Sequence, residues 1–168
     1  MELEKVLAKR VSNRKYNGKK VSDEDVEKLL EAANFAPIAN GAYDGCRLSV
    51  IRDEKIIEKI IKEYQQVRRT DKNPLYGANL MILFSSNKDN TSKYEDCGCV
   101  FQNIALRATD LEIQSCYIRG AINSLGKDAA YIKDLGLDEG YFPVSGITLG
   151  YSDEKTEPKK HEIKVNYL

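Results

Sequence analysis

Five consecutive apolar residues, Leu80-Met81-Ile82-Leu83-Phe84, constrain this chain more than any other segment. Side chains of a strand alternate between two faces, so an unbroken apolar run requires both faces to be covered. The run is also far too short to cross a bilayer as a helix. It predicts a central strand with packing layers on either side, and the rest of the chain must supply those layers.

Helical periodicity does so. Leu3 to Lys9 predicts a short helix that ends at a basic cluster. Ser22, with Asp25 three residues on, reads as an N-cap. Val26, Leu29, Leu30 and Ala33 then recur at the spacing of one buried face until Pro37 stops the helix. Ile56, Ile57, Ile60, Ile61 and Tyr64 mark another helix, and Cys97, Val100, Phe101, Ile104, Ala108 and Leu111 trace the longest stripe, a central helix. A further helix is expected from about Leu125 to Leu135, where Gly136 breaks it. Strands are expected near Leu48 to Ile51, at Ser115 to Ile118 closed by Arg119-Gly120, and at Val144 to Leu149. The tail from Lys155 to Leu168 is polar, yet Ile163, Val165 and Tyr167 alternate as an edge strand would, on this subunit or another. The resulting class is α+β, with residues 1–168 forming a single domain.

Charge narrows the partners. Twenty-six basic residues balance 26 acidic ones without blocky asymmetry, which leaves no electrostatic footprint for nucleic acid or an anionic membrane. The charged start, Met1 to Lys5, has no apolar core of a signal peptide, so a soluble, cytoplasmic protein is expected. Cys46, Cys97, Cys99 and Cys116 lack paired C-x-x-C spacing, and the single histidine, His161, is distant from them, which argues against a metal site. The thiols read as reduced, small apolar residues.

Against this neutral background, Arg10-Val11-Ser12-Asn13-Arg14-Lys15-Tyr16 stands out. Guanidiniums grip phosphate through paired hydrogen bonds and a hydroxyl can add another. By itself the cluster fits either a small-anion site or a solvated turn.

The landmarks in order decide between them. Arg10-x-Ser12-x-Arg14-x-Tyr16, Ala36-Pro37-Ile38-Ala39-Asn40, Asp96 through Gln102-Asn103-Ile104-Ala105-Leu106, Leu111 through Ile118, and Ile147-Thr148-Leu149-Gly150-Tyr151 together resemble the FMN-dependent nitroreductase family over nearly the whole chain. The resemblance implies a nitroreductase-like fold, a central mixed or antiparallel sheet flanked by helices. It also implies an intertwined homodimer whose C-terminal strand reaches toward the partner, with FMN sites at the subunit interface.

On this resemblance, the segment Arg10, Val11, Ser12 and Arg14 holds the cofactor: Arg10 and Ser12 the phosphate, Arg14 the ring near N1 and O2. Pro37, Ile38, Ala39 and Asn40 of the other subunit lie against the ring, and Arg119-Gly120 present backbone N–H groups to N5 and O4. Lys159, Lys160 and His161 fall where the family supplies further phosphate-binding cations, without a choice among them. The implied chemistry is ping-pong hydride transfer through flavin N5, from NADH or NADPH to a small electron-poor acceptor such as a nitro compound or quinone. No catalytic side chain is required. The absence of G-x-G-x-x-G agrees with a transient nicotinamide site.

Two departures from the family pattern stand out. Ile38 occupies a position usually small or hydroxylic, and Tyr43-Asp44-Gly45-Cys46 replaces a Gln-Pro-Trp-like segment. The chain is also short for the family, which suggests an open acceptor pocket. A specialised flavoenzyme, for example a reductive dehalogenase, or a non-catalytic flavin-binding dimer are the rival readings.

Overall fold

The computed structural model describes every residue except Lys155, Thr156 and Lys159. The apolar run becomes β2 (Leu80–Ser86), buried at every position. It lies inside a four-stranded sheet with β1 (Cys46–Ile51), β3 (Gln114–Tyr117) and β4 (Phe142–Gly150) in the order β1-β2-β4-β3. All three pairings are antiparallel, with Leu48 opposite Phe84 on one side of β2 and Ile82 opposite Ile147 on the other.

Alternation along β2 divides the core. Leu80, Ile82 and Phe84 face one cluster, completed by α2 (Asp23–Asn34) and α4 (Ser92–Asp110). Met81 and Leu83 face a second, completed by α3 (Glu54–Arg68), α5 (Arg119–Asn123) and a 3-10 segment at Ala130–Leu135. Each fully buried Leu or Ile contributes about 1.5–3 kcal/mol, so the unbroken run in β2 stabilises both layers at once. The remaining helix, α1 (Leu3–Lys9), packs against α4 and leads directly into the basic segment.

Local signals explain the helix ends. The Ser22 hydroxyl accepts from the Asp25 N–H at 3.1 Å and donates to the Asp25 carboxylate at 2.8 Å, a reciprocal cap at the start of α2. Asp53 caps α3 through the Lys55 N–H. No helix among the described residues is long and apolar enough to cross a membrane.

Two expectations need correction. Arg119-Gly120 does not close a strand; it forms the first turn of α5, because Ile118 leaves extended geometry (φ −113°, ψ 42°) and its carbonyl accepts from Ala121. Burial of Ala121 and Ile122 in the second cluster drives that turn. The helix expected from Leu125 to Leu135 is confined to Ala130–Leu135. Gly126 adopts φ 75°, a left-handed conformation that ordinary side chains resist, and it splits the segment. The alternating tail pairs with no edge of its own chain among the described residues, and Ile163, Val165 and Tyr167 are 86%, 67% and 90% exposed. Alternation alone gives an edge strand nothing to pair with.

Candidate functional site

The basic segment is anchored at its middle and its end. Ser12 forms a single parallel bridge with Ser115 of β3, and the Asn13 N–H donates to the Ser115 carbonyl at 2.9 Å. Asn13 is buried, and its side-chain amide donates to the Lys15 carbonyl at 2.6 Å. Tyr16 then lies across Gly150, where a Cβ would come within 2.9 Å of the ring. Its hydroxyl shares a 2.9 Å hydrogen bond with Thr148 Oγ1 at the end of β4. In an extended segment with Asn13 turned inward, Arg10, Ser12 and Arg14 share the opposite side.

Two cavities meet there. One, about 280 Å³, is lined by Arg10, Val11, Ser12 and Arg14 together with Glu157, Pro158 and His161. The other, about 170 Å³, runs from Arg10 and Ser12 past Ser115 to Tyr117 and along α4 at Gly98, Phe101, Gln102 and Ala105. Arg10 and Ser12 line both. Neither Arg10 nor Arg14 forms an ion pair with any described residue. Two guanidiniums and a hydroxyl at the junction of two cavities suit a phosphate. On α4, a Cβ at Gly98 would meet nothing within 4 Å, so the wall there is open to a flat ligand. A phosphorylated flavin therefore fits the groups present.

Tyr117 closes one end of the second cavity. Its ring meets Phe101 edge-on at 5.2 Å, and its hydroxyl donates to Cys97 Sγ at 3.7 Å. Burial pushes both the Tyr117 phenol and the Cys97 thiol up to about 12. Burial also raises Cys116, against the opposing charge of Arg14, and Cys46. The Tyr117 phenol and these three thiols therefore stay protonated near neutrality, and none of the three is an activated nucleophile.

The other expected site residues are placed unevenly. His161 joins the basic segment, Lys160 is exposed without lining either cavity, and Lys159 lies outside the described residues. Arg119 and Gly120 are exposed at the start of α5, just beyond Tyr117, with the Arg119 guanidinium 5.7 Å from the Tyr94 ring centroid.

Pro37, Ile38, Ala39 and Asn40 border neither cavity. Ile38 is buried against its own chain's α2 and α4 cluster. The Ala39 N–H donates to Asp96 Oδ1 at 2.8 Å, and Lys88 Nζ donates to Asp96 Oδ2 at 2.7 Å. With Asp96 3% and Lys88 11% exposed, this is a nearly dry ion pair that fixes the loop. The departing segment is braced as well: the Tyr43 hydroxyl donates to the Ala36 carbonyl, and Arg47 donates to the Asp44 carbonyl at 3.0 Å.

Gly98, Phe101, Gln102, Ala105 and Tyr117 were not among the expected site residues. The signal was present in α4, where small residues at Gly98 and Ala105 interrupt the stripe that otherwise reads as core packing.

The nitroreductase family model matches residues 7–151. A protein of Archaeoglobus fulgidus named "Putative NADH dehydrogenase/NAD(P)H nitroreductase" is 32% identical over 158 residues, 90% of this chain and 86% of its own length. A nitroreductase with bound FMN from Desulfitobacterium hafniense superposes with a TM-score of 0.88 at 25% identity, covering 100% of this chain and 98% of the other. A Bacteroides fragilis nitroreductase with bound FMN shares the fold, with a TM-score of 0.83 at 23% identity, 100% and 97% coverage. The short length is thus shared with these two structures.

Proposed function

Because this chain belongs to the nitroreductase family, we propose that it is an NAD(P)H-dependent oxidoreductase that holds FMN where the two cavities meet, residues 1–168 forming one domain. The observation that carries this reading is the sharing of Arg10 and Ser12 by both cavities, one basic and one running along the open wall of α4. Bound there, FMN would supply two-electron hydride chemistry, with NADH or NADPH as donor and an electron-poor acceptor in ping-pong turnover.

The chain's own residues bind and orient. Arg10 and Ser12 would grip the phosphate, with His161 beside them at the same cavity. Arg14, which lines the same cavity, would stabilise negative charge at the N1 and O2 edge of a bound flavin and so raise its affinity for electrons. Gly98, Phe101, Ala105 and Tyr117 form the wall along which the cofactor lies. The first N–H groups of a helix lack intrahelical acceptors, so Arg119 and Gly120 have donors to spare for the ring's N5 and O4 edge.

A second copy supplies the opposite wall. Pro37, Ala39 and Asn40 are not buried, and they sit on a loop stiffened by Asp96, which suits them to cover a ring held by a partner. The exposed alternation of Ile163, Val165 and Tyr167 supports a tail that packs on that partner. Anaerobic titration of the yellow purified protein with NADH and NADPH tests donor, cofactor and activity together. Bleaching is expected; a protein that takes up no FMN, or whose bound flavin stays oxidised, refutes the assignment. Gel filtration of a monomer carrying FMN would sink the two-chain site.

A further inference from the structure

Beyond the residues assigned above lies a cavity of about 210 Å³ at the end of the sheet where β2 finishes and β4 begins. Its walls include Lys88, Asp89, Lys93, Tyr94, Lys127 and Phe142. Pockets for drug-sized ligands run to about 300–1,000 Å³, so this one suits a single substituted ring.

Its position is set by α4. Tyr94, Gly98, Phe101 and Ala105 stand at i, i+4, i+7 and i+11, one stripe of the helix. Tyr94 lines the new cavity while Gly98, Phe101 and Ala105 line the groove assigned to the cofactor. At about 1.5 Å per residue the stripe extends about 17 Å from Ala105 to Tyr94, so the cavity continues the groove away from its phosphate end.

Its charge is unbalanced. Lys88 is neutralised by Asp96. Lys93 donates to the Lys88 carbonyl at 2.9 Å and stands 5.7 Å from the Tyr94 ring centroid, and Lys127 stands 4.8 Å from that of Phe142. Neither ammonium has a carboxylate partner among the described residues. Arg119 approaches the Tyr94 ring as well. Among the lining residues, these two lysines face a single carboxylate, Asp89, which forms no ion pair with a described residue. An aromatic face holds a cation in place without cancelling its charge.

We infer that this cavity docks the anionic end of the electron acceptor, so that Lys93 and Lys127 select a small ring bearing a carboxylate or phosphate over its neutral counterpart. The inference rests on the proposed flavin-dependent function. It turns the open acceptor pocket expected from the sequence into one with a charge preference.

The test uses the FMN-loaded protein and a matched pair of acceptors, 4-nitrobenzoate and its methyl ester. The wild type should favour the acid in kcat/KM. The Lys93→Gln/Lys127→Gln variant should lower the acid-to-ester ratio by about tenfold, the lower end of a charged hydrogen bond's contribution, and Lys127→Arg should retain the preference. Binding of benzoate, followed by calorimetry, should be saturable in the wild type and about tenfold weaker in the double variant. Reoxidation by 4-nitrobenzoate and reduction by NADH, measured as separate half-reactions, distinguish acceptor from donor. A bleachable yellow protein that shows no acid preference, no benzoate binding, or an effect of the lysines on the NADH half-reaction alone overturns the inference while leaving the flavin function standing. Failure of NAD(P)H to bleach the wild type instead removes the function beneath it.

Discussion

The two faces of the sheet are packed with the same kinds of residue and are put to different uses. On one, α3 lays Ile57 and Ile60 against Met81 and Leu83, and its buried stripe is apolar. On the other, α4 is buried at Cys97, Val100, Phe101, Ile104 and Ala108 but also carries a buried carboxylate, Asp96, and an open glycine, Gly98. Helix α3 only stabilises. Helix α4 stabilises while holding a loop at one end and forming a groove wall along its flank. A helix that must do both departs from a clean hydrophobic stripe, and those departures fall beside the proposed site.

The contrast is sharpest at Asp96. Asp96→Ala leaves Lys88 and the Ala39 N–H without their partner, and breaking a buried pair costs about 3–5 kcal/mol. The urea midpoint should fall accordingly, and a variant within 1 kcal/mol of wild type by that measure would show the loop to be held by other contacts. Next come paired truncations. Ile60→Ala behind α3 and Ile104→Ala behind α4 should each cost about 2–5 kcal/mol. Only the second should also weaken FMN retention, measured by flavin release on dilution; equal loss from both would erase the distinction between the faces.

A smaller effect is expected at the phosphate end. Arg10→Ala should weaken FMN by about 1.5–3 kcal/mol, the contribution of a charged hydrogen bond, with little change in the unfolding midpoint. A large stability loss would recast Arg10 as structural.

Smallest are the changes at the α2 cap, which belongs to neither use. Ser22→Ala should cost about 1 kcal/mol. The Ser22 hydroxyl, and after it Lys28, hold the Asp25 carboxyl below its ordinary value of 3.8. A carboxylate depressed in the folded state stabilises above its unfolded value and loses that contribution as pH falls through the folded one. Acid titration of Asp25→Asn should therefore show a shallower loss of stability below the ordinary carboxylate range, and an unchanged acid limb would contradict the cap's role.

Most of the fold was legible because it follows from periodicity. The run Leu80 to Phe84 specified a strand between two layers, and Ser22 with Asp25 marked a helix start to the residue. What escaped depends on tertiary partners. Arg119-Gly120 looks like a strand ending until Ala121 and Ile122 find the second core cluster, and the tail's alternation has no meaning without a neighbouring edge. The site divides in the same way. Arg10, Ser12, Arg14 and His161 gather around one cavity, whereas Gly98, Phe101 and Tyr117 were hidden because a groove wall and a core stripe use the same residue types.

Tyr16 seated on Gly150, with Asn13 tied to Ser115, has a bearing on the order of assembly. A single chain already fixes the shape of the Arg10 to Arg14 segment, whereas the proposed cover over the ring belongs to a second copy. FMN would then be captured in two stages, first by its phosphate on one chain at a rate independent of dimerisation, then locked in with a dependence on protein concentration. Dilution would accordingly loosen the ring before it frees the phosphate.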